Sequence, residues 1–132
     1  MTEEDRNTLV EYRLKRAEET LAEAIDLISM KHWHGAANRL YYACYYAVNA
    51  LLVKNGYSAK THGGVFALLG KHFVLKKIVS KEQNELYGKL LELRQSGDYD
   101  DWLVVTEDNV APLIEPAQKF IREMERLINL KT

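Results

Sequence analysis

Residues 33–53 constrain the fold more than any other stretch, because read at helical period they carry two stripes instead of one. The first stripe, Trp33, Ala37, Leu40, Cys44, Ala47 and Leu51, is apolar. Its Ala and Cys positions are small enough for another helix to approach closely. The second, Asn38 or Arg39, then Tyr42, Tyr45 or Tyr46, and Asn49, is aromatic and polar at the same spacing. A helix apolar on one side and lined by Tyr, Asn and Arg on the other is expected to be buried on most sides. Its hydroxyls and amides then need partners from elsewhere in the chain, since an unpaired buried polar group costs about 1–3 kcal/mol.

Long helical periodicity dominates the remainder and strand-like alternation is scarce. A first helix is expected over residues 4–30, with Leu14, Ala17, Leu21, Ile25 and Ile28 inward. The short link at residues 31–35 predicts an antiparallel hairpin with the second helix. The second helix should end at Lys54, Asn55 and Gly56, where Asn and Gly suit a C-terminal cap. Thr61 is placed to cap a short third helix containing His62, Val65, Phe66, Leu69 and Phe73. Ser80 with Gln83 forms a capping-box pattern for a fourth helix, with Leu86, Leu90 and Leu93 inward and an end near Arg94. Residues 95–102 read as the longest polar, non-helical run. A last helix should bury Leu113, Ala117, Phe120, Ile121, Met124, Leu127 and Ile128, starting at Thr106 or at Pro112, and Pro116 should bend it. The expected fold is all-α: a single domain over residues 1–132, built as an up-and-down bundle of four long helices plus one short helix.

The bulk numbers narrow the function. A chain of 132 residues can bury a core without staples. A net charge of −1 argues against a general electrostatic grip on nucleic acid, though not against a local phosphate site. The one cysteine, Cys44, permits no internal disulfide and reads as a packed core residue of a protein in a reducing compartment. No run approaches the ~20 apolar residues of a membrane span, and the N-terminus is acidic, unlike a signal peptide. A cytoplasmic protein with no membrane contact is expected.

Arg94 lies one turn beyond Leu90, on the buried stripe, where its fork suits either a carboxylate or a phosphate. With Asp98 it either locks a loop to the bundle end or handles a phosphodiester or nucleotide in a cleft. Asp98, Asp100 and Asp101 lack the spacing of a calcium loop, and His32 and His34 have no zinc partners, so no metal and no cofactor are expected. His32, His34 and His72 read as solvated or packed. His62 opens a helix before Gly63 and Gly64, and is either a general acid–base or a hydrogen-bond partner of the tyrosine stripe.

Four segments carry a resemblance: residues 38–52 (NRLYYACYYAVNALL), 62–66 (HGGVF), 93–99 (LRQSGDY) and 117–121 (AQKFI). Together they resemble the HEPN family, and more narrowly the small stand-alone HEPN proteins paired with minimal nucleotidyltransferases. The resemblance implies a helical homodimer, a toxin–antitoxin setting, RNA or a nucleotide as ligand, and metal-independent endoribonuclease chemistry. The signature of that chemistry is an Arg followed four to six residues later by a His. Arg94 matches the Arg. No histidine follows it, and Asp98 and Tyr99 stand where the histidine would fall. The expectation is therefore weakened or lost cleavage, with Arg94, His62, Asp98 and Tyr99 as catalytic candidates and Asn38, Arg39, Tyr42 and Arg94 as nucleotide- or RNA-binding candidates. Asn38, Arg39 and Tyr42 are expected to meet Arg94, Asp98, Tyr99 and His62 at one end of the bundle. The alternative is a non-catalytic helical protein that binds a nucleotidyltransferase or itself, with the tyrosine stripe and Trp102 as its interface.

Overall fold

The computed structural model describes residues 1–99 and 104–130, with side chains through Gln95 and again from Val104. Asp100, Asp101, Trp102 and the side chains of Asp98 and Tyr99 lie outside the described residues. Among the described residues there are α-helices and no strand: α1 (Glu3–Ser29), α2 (Trp33–Lys54), α3 (His62–Leu69), a π-helical turn (Gly70–Val74), α4 (Lys81–Tyr99) and α5 (Glu107–Ile128). This is the all-α architecture of four long helices and one short one that the periodicity predicts.

Local chemistry sets the ends. At α1, the Thr2 hydroxyl accepts the Asp5 N–H at 3.0 Å, and the Asp5 carboxylate accepts the Thr2 N–H at 3.4 Å, so two orphan donors are met at once. α2 stops where Gly56 adopts φ +82° and the Tyr57 N–H reaches back to the Leu52 carbonyl at 2.9 Å. That is a Schellman cap, whose left-handed residue is ordinarily glycine. The same pattern closes α1 with Lys31 at φ 61° and the turn after Val74 with Lys77 at φ 60°. Thr61 caps α3 by accepting the Gly64 N–H at 2.9 Å. A Cβ on Gly64 would lie 2.9 Å from the Thr61 hydroxyl oxygen and 3.1 Å from the Ala59 methyl, so this close approach serves the cap. The third helix does not run unbroken through Phe73, because its turns widen to π-helical after Leu69.

α2 is the axis of the molecule, packing against α1, α3, α4 and α5, whereas α1 and α5 barely touch. Its small buried residues, Ala36, Ala43, Ala47 and Ala50, permit that crowding. On α1 the contact runs through Val10, Ala17, Thr20 and Ala24, also mostly small, while Leu14, Leu21 and Ile28 flank it half-buried. Ile25 is 41% exposed and is not an inward residue: the line of closest approach passes through the alanines, which rotates Ile25 away.

α4 continues to Tyr99 instead of stopping near Arg94. No proline lies between Ser80 and Pro112, and beyond Arg94 the one glycine in the helix, Gly97, costs only about 1 kcal/mol. Its buried residues are Tyr87, Leu90 and Leu91, with Leu86 and Leu93 at the margin. α5 starts after Thr106, whose N–H donates to the Asn109 side chain at 2.9 Å. The helix continues through Pro112 and Pro116, both on its exposed side. Each proline withholds one intrahelical N–H, and water reaches that side. Core contacts through Ala117, Phe120, Ile121, Met124 and Ile128 hold the helix on α2.

Candidate functional site

Four tyrosines, two arginines and a histidine from three helices converge where α2, α3 and α4 meet. The repeat within α2 places Tyr41, Tyr42 and Tyr45 next to one another on the α3 side. Tyr41 and Tyr45 stack at 5.8 Å between centroids, and Tyr42 meets Tyr41 edge-on at 5.2 Å. Capping by Thr61 brings His62, the first residue of α3, onto this wall. Its Nδ1 lies 2.6 Å from the Tyr41 hydroxyl, and its ring centroid 4.5 Å from that of Tyr45 and 5.7 Å from that of Tyr42. From α4, Arg94 lays its guanidinium over Tyr41 at 5.6 Å and over Tyr42 at 5.4 Å. These are cation–π distances, and they hold the guanidinium over the two rings.

Arg39 adds a second cation. Its guanidinium lies 5.1 Å from the Tyr42 centroid and donates to the Asn38 side-chain oxygen from Nε at 3.1 Å and from a terminal nitrogen at 2.8 Å. Another terminal nitrogen is 3.9 Å from a Glu23 carboxylate oxygen on α1. Tyr42 thus bridges the two guanidiniums. The structure brings Asn38, Arg39, Tyr42, Arg94 and His62 into one cluster. Asp98 and Tyr99 belong to α4, and their side chains lie outside the described residues.

Sequence reasoning missed the foundation of this cluster. Tyr41 and Tyr87 are fully buried and stack at 5.8 Å with an interplanar angle of 7°, and Tyr87 stacks in turn on Phe120 of α5 at 5.6 Å. A column of three rings therefore ties α2, α4 and α5 together directly beneath Arg94. The signal was present: Tyr87, Leu90, Leu91 and Arg94 share the 3–4 spacing of one helix face.

Burial and charge set the protonation states. Desolvation, followed by the nearby Arg94, lowers the proton affinity of His62 below its ordinary value of 6.5, so the ring is neutral near pH 7. Burial pushes the Tyr41 and Tyr87 hydroxyls well above the ordinary tyrosine range. The Tyr41–His62 bond therefore joins two neutral groups and couples the ring's two nitrogens. If Tyr41 donates, the His62 proton sits on Nε2; if Nδ1 donates, Nε2 is a bare acceptor. A guanidinium beside a neutral imidazole can bind a phosphate and move a proton at its oxygens.

Other candidates behave as packed groups. Cys44 is fully buried, and its thiol is raised far above the ordinary range by desolvation. His72 stacks on Tyr57 at 4.0 Å, in the π-helical turn beyond α3. Two clefts of about 460 and 540 Å³ lie between α4 and α5, beside Pro112 and Pro116 respectively, and none of the clustered residues lines either. No helix among the described residues is long and apolar enough to cross a membrane.

Comparison with known proteins agrees with the fold. A family model described as HEPN domain matches residues 10–127. A UPF0332 protein of Thermotoga maritima is 37% identical over 94% of both chains. A Methanocaldococcus jannaschii protein named "Putative toxin MJ0142" is 24% identical over 90% of this chain and 81% of its own. Among solved structures, TT1696 from Thermus thermophilus superposes with a TM-score of 0.76, covering 89% of this chain and 97% of that one at 18% identity, a likeness of fold.

Proposed function

Because the chain belongs to the HEPN domain family, we propose that it is an RNA- or nucleotide-binding module that serves as the toxin half of a toxin–antitoxin pair, with reduced endoribonuclease activity. The observation that carries this reading is the position of Arg94, stacked on Tyr41 and Tyr42 beside His62. The guanidinium holds a phosphodiester and offsets charge that builds on it in the transition state. His62 takes the place of the histidine absent after Arg94, with Tyr41 setting which ring nitrogen carries the proton. Proton transfer through such a group is worth about 10²–10⁴-fold, and a histidine borrowed from another helix recovers only part of that. Similarity to the protein named as a toxin supports the setting. A homodimer in the cytoplasm, with a nucleotidyltransferase as partner, completes the proposal.

The test is RNA cleavage and nucleotide binding by the purified protein, native against Arg94→Ala and His62→Gln. Arg94→Ala should lose about 10²-fold or more in cleavage, as expected when a transition-state cation is removed. His62→Gln should reduce cleavage while nucleotide binding persists. No cleavage and no nucleotide binding by the native protein, with binding of a nucleotidyltransferase intact, would replace this reading by that of a helical interaction protein.

A further inference from the structure

The net charge of −1 hides a strong segregation. Every Asp and Glu lies at or before Asp26 or at or after Glu82, so the stretch between has cations and no carboxylate. In its second half, Lys60, Lys71, Lys76, Lys77 and Lys81 are all exposed. Among the described residues none of them is ion-paired to a carboxylate. Two of the five, Lys71 and Lys76, flank one feature in the chain, and Lys77 follows directly. His72, in the π-helical turn, stacks on Tyr57 at 4.0 Å and 13°, and both rings are half-buried. Lys71 adjoins His72 in the chain and Lys76 lies four residues beyond it, and after desolvation their charges lower the proton affinity of His72. Lys77 follows in the left-handed cap position, φ 60°, where glycine is the ordinary choice. One of these details is uncommon in helical proteins: π-helical turns recur at functional sites.

We propose that Tyr57, His72, Lys71, Lys76 and Lys77 form a second nucleic-acid contact, which grips single-stranded RNA a few nucleotides from the phosphate held at Arg94. His62 opens α3 and His72 lies within its π-helical extension, roughly 15 Å away by helical rise. One strand reaching both makes the ligand an oligonucleotide and not a mononucleotide. Ammonium groups around a stacked ring pair suit single-stranded nucleic acid, whose phosphates take the cations while a base meets the aromatic surface. An acidic protein would use the lysines and leave the ring pair without a role. The inference rests on reading the Arg94 cluster as a phosphate site.

The test measures the binding of a fluorescein-labelled oligouridylate of about 12 nucleotides, within the span of one such site, and in parallel of AMP, across a range of salt. The triple variant K71E/K76E/K77E should bind the oligonucleotide at least about 10-fold more weakly, with a salt slope shallower by about 2. Its AMP affinity should stay within about twofold of native, since the Arg94 cluster is untouched. Lys77→Gly guards against misfolding: it should melt no lower than native yet bind RNA about 2-fold more weakly, as for the loss of one phosphate contact. Native RNA affinity in both variants, with AMP binding intact, overturns this inference and leaves the Arg94 reading standing. Failure of native protein to bind either RNA or AMP overturns both. Displacement of the RNA by oligoglutamate of equal charge as effectively as by unlabelled RNA overturns the inference in favour of an acidic protein partner.

Discussion

An arginine laid over aromatic rings loses part of its water, and its neighbours register its charge. His62 does so at the cluster: desolvation and Arg94 together depress its proton affinity below 6.5. The linkage has a definite sign. Above pH 6.5 the ring is neutral in both the folded and unfolded chain, so no penalty exists. As pH falls below 6.5 the unfolded chain takes up the proton first, and a destabilising contribution grows until the folded pKa is passed. His62→Gln removes the group and should flatten that segment of the stability–pH curve, measured by urea unfolding at intervals between about pH 7.5 and 5. A slope in the variant equal to native would show that some other group causes it. At this scale the sequence was legible for Arg94, Arg39, Tyr42 and His62, because helix-face spacing and helix-start chemistry are local. Tyr41 and Tyr87 were missed because their importance comes from stacking between α2 and α4, which local spacing does not specify.

Helices here are specified by caps and placed by residue size. The starts of α1, α3, α4 and α5 coincide with side chains at Thr2, Thr61, Ser80 and Thr106 that accept or organise orphan backbone N–H groups, which is why those starts can be read from sequence. Rotation about the helix axis is harder to read. Ile25 fits the apolar period of α1 yet is exposed, because the alanine line fixes where α2 comes closest. The far side of α1 brings a different problem to its slight contact with α5. Hydrogen bonding with Glu18, then burial, raises the Glu125 carboxyl from 4.5 to about 7, against the attraction of Arg122. A raised carboxyl pKa means the folded chain holds a proton that the unfolded chain releases between those values. Stability from this pair is therefore full below pH 4.5 and is lost as pH rises through about 7. Glu125→Gln keeps a neutral hydrogen-bonding side chain and should raise Tm at pH 8 while changing it little at pH 4. The gain should stay below about 1 kcal/mol, because the pair is well solvated. A variant that melts at or below the native temperature at pH 8 would count against the shared proton.

A single net charge describes the whole molecule poorly when its acids and bases are sorted by segment: the 60–81 stretch presents exposed lysines without carboxylates. The fold class was legible because helical periodicity and short links leave few arrangements open. The shared role of α2 was partly legible too, since a helix carrying two stripes has two sets of neighbours to satisfy. That role has a thermodynamic consequence. α2 contacts α1, α3, α4 and α5, while the outer helices meet one another sparingly, so no outer helix retains its buried face once α2 is lost. Leu40 of α2 is fully buried. Leu40→Ala removes its methyl groups and leaves a cavity, a loss of about 2–5 kcal/mol. Because every helix depends on the same axis, the loss should be felt everywhere at once: far-ultraviolet dichroism, which reports helix, and near-ultraviolet dichroism, which reports the tyrosine column, should shift to a lower Tm together. Coincident transitions in both proteins mark one cooperative unit. If the tyrosine signal falls in Leu40→Ala while most helix persists to the native Tm, then α1 or α5 is stable without the axis and the molecule is not one unit about α2.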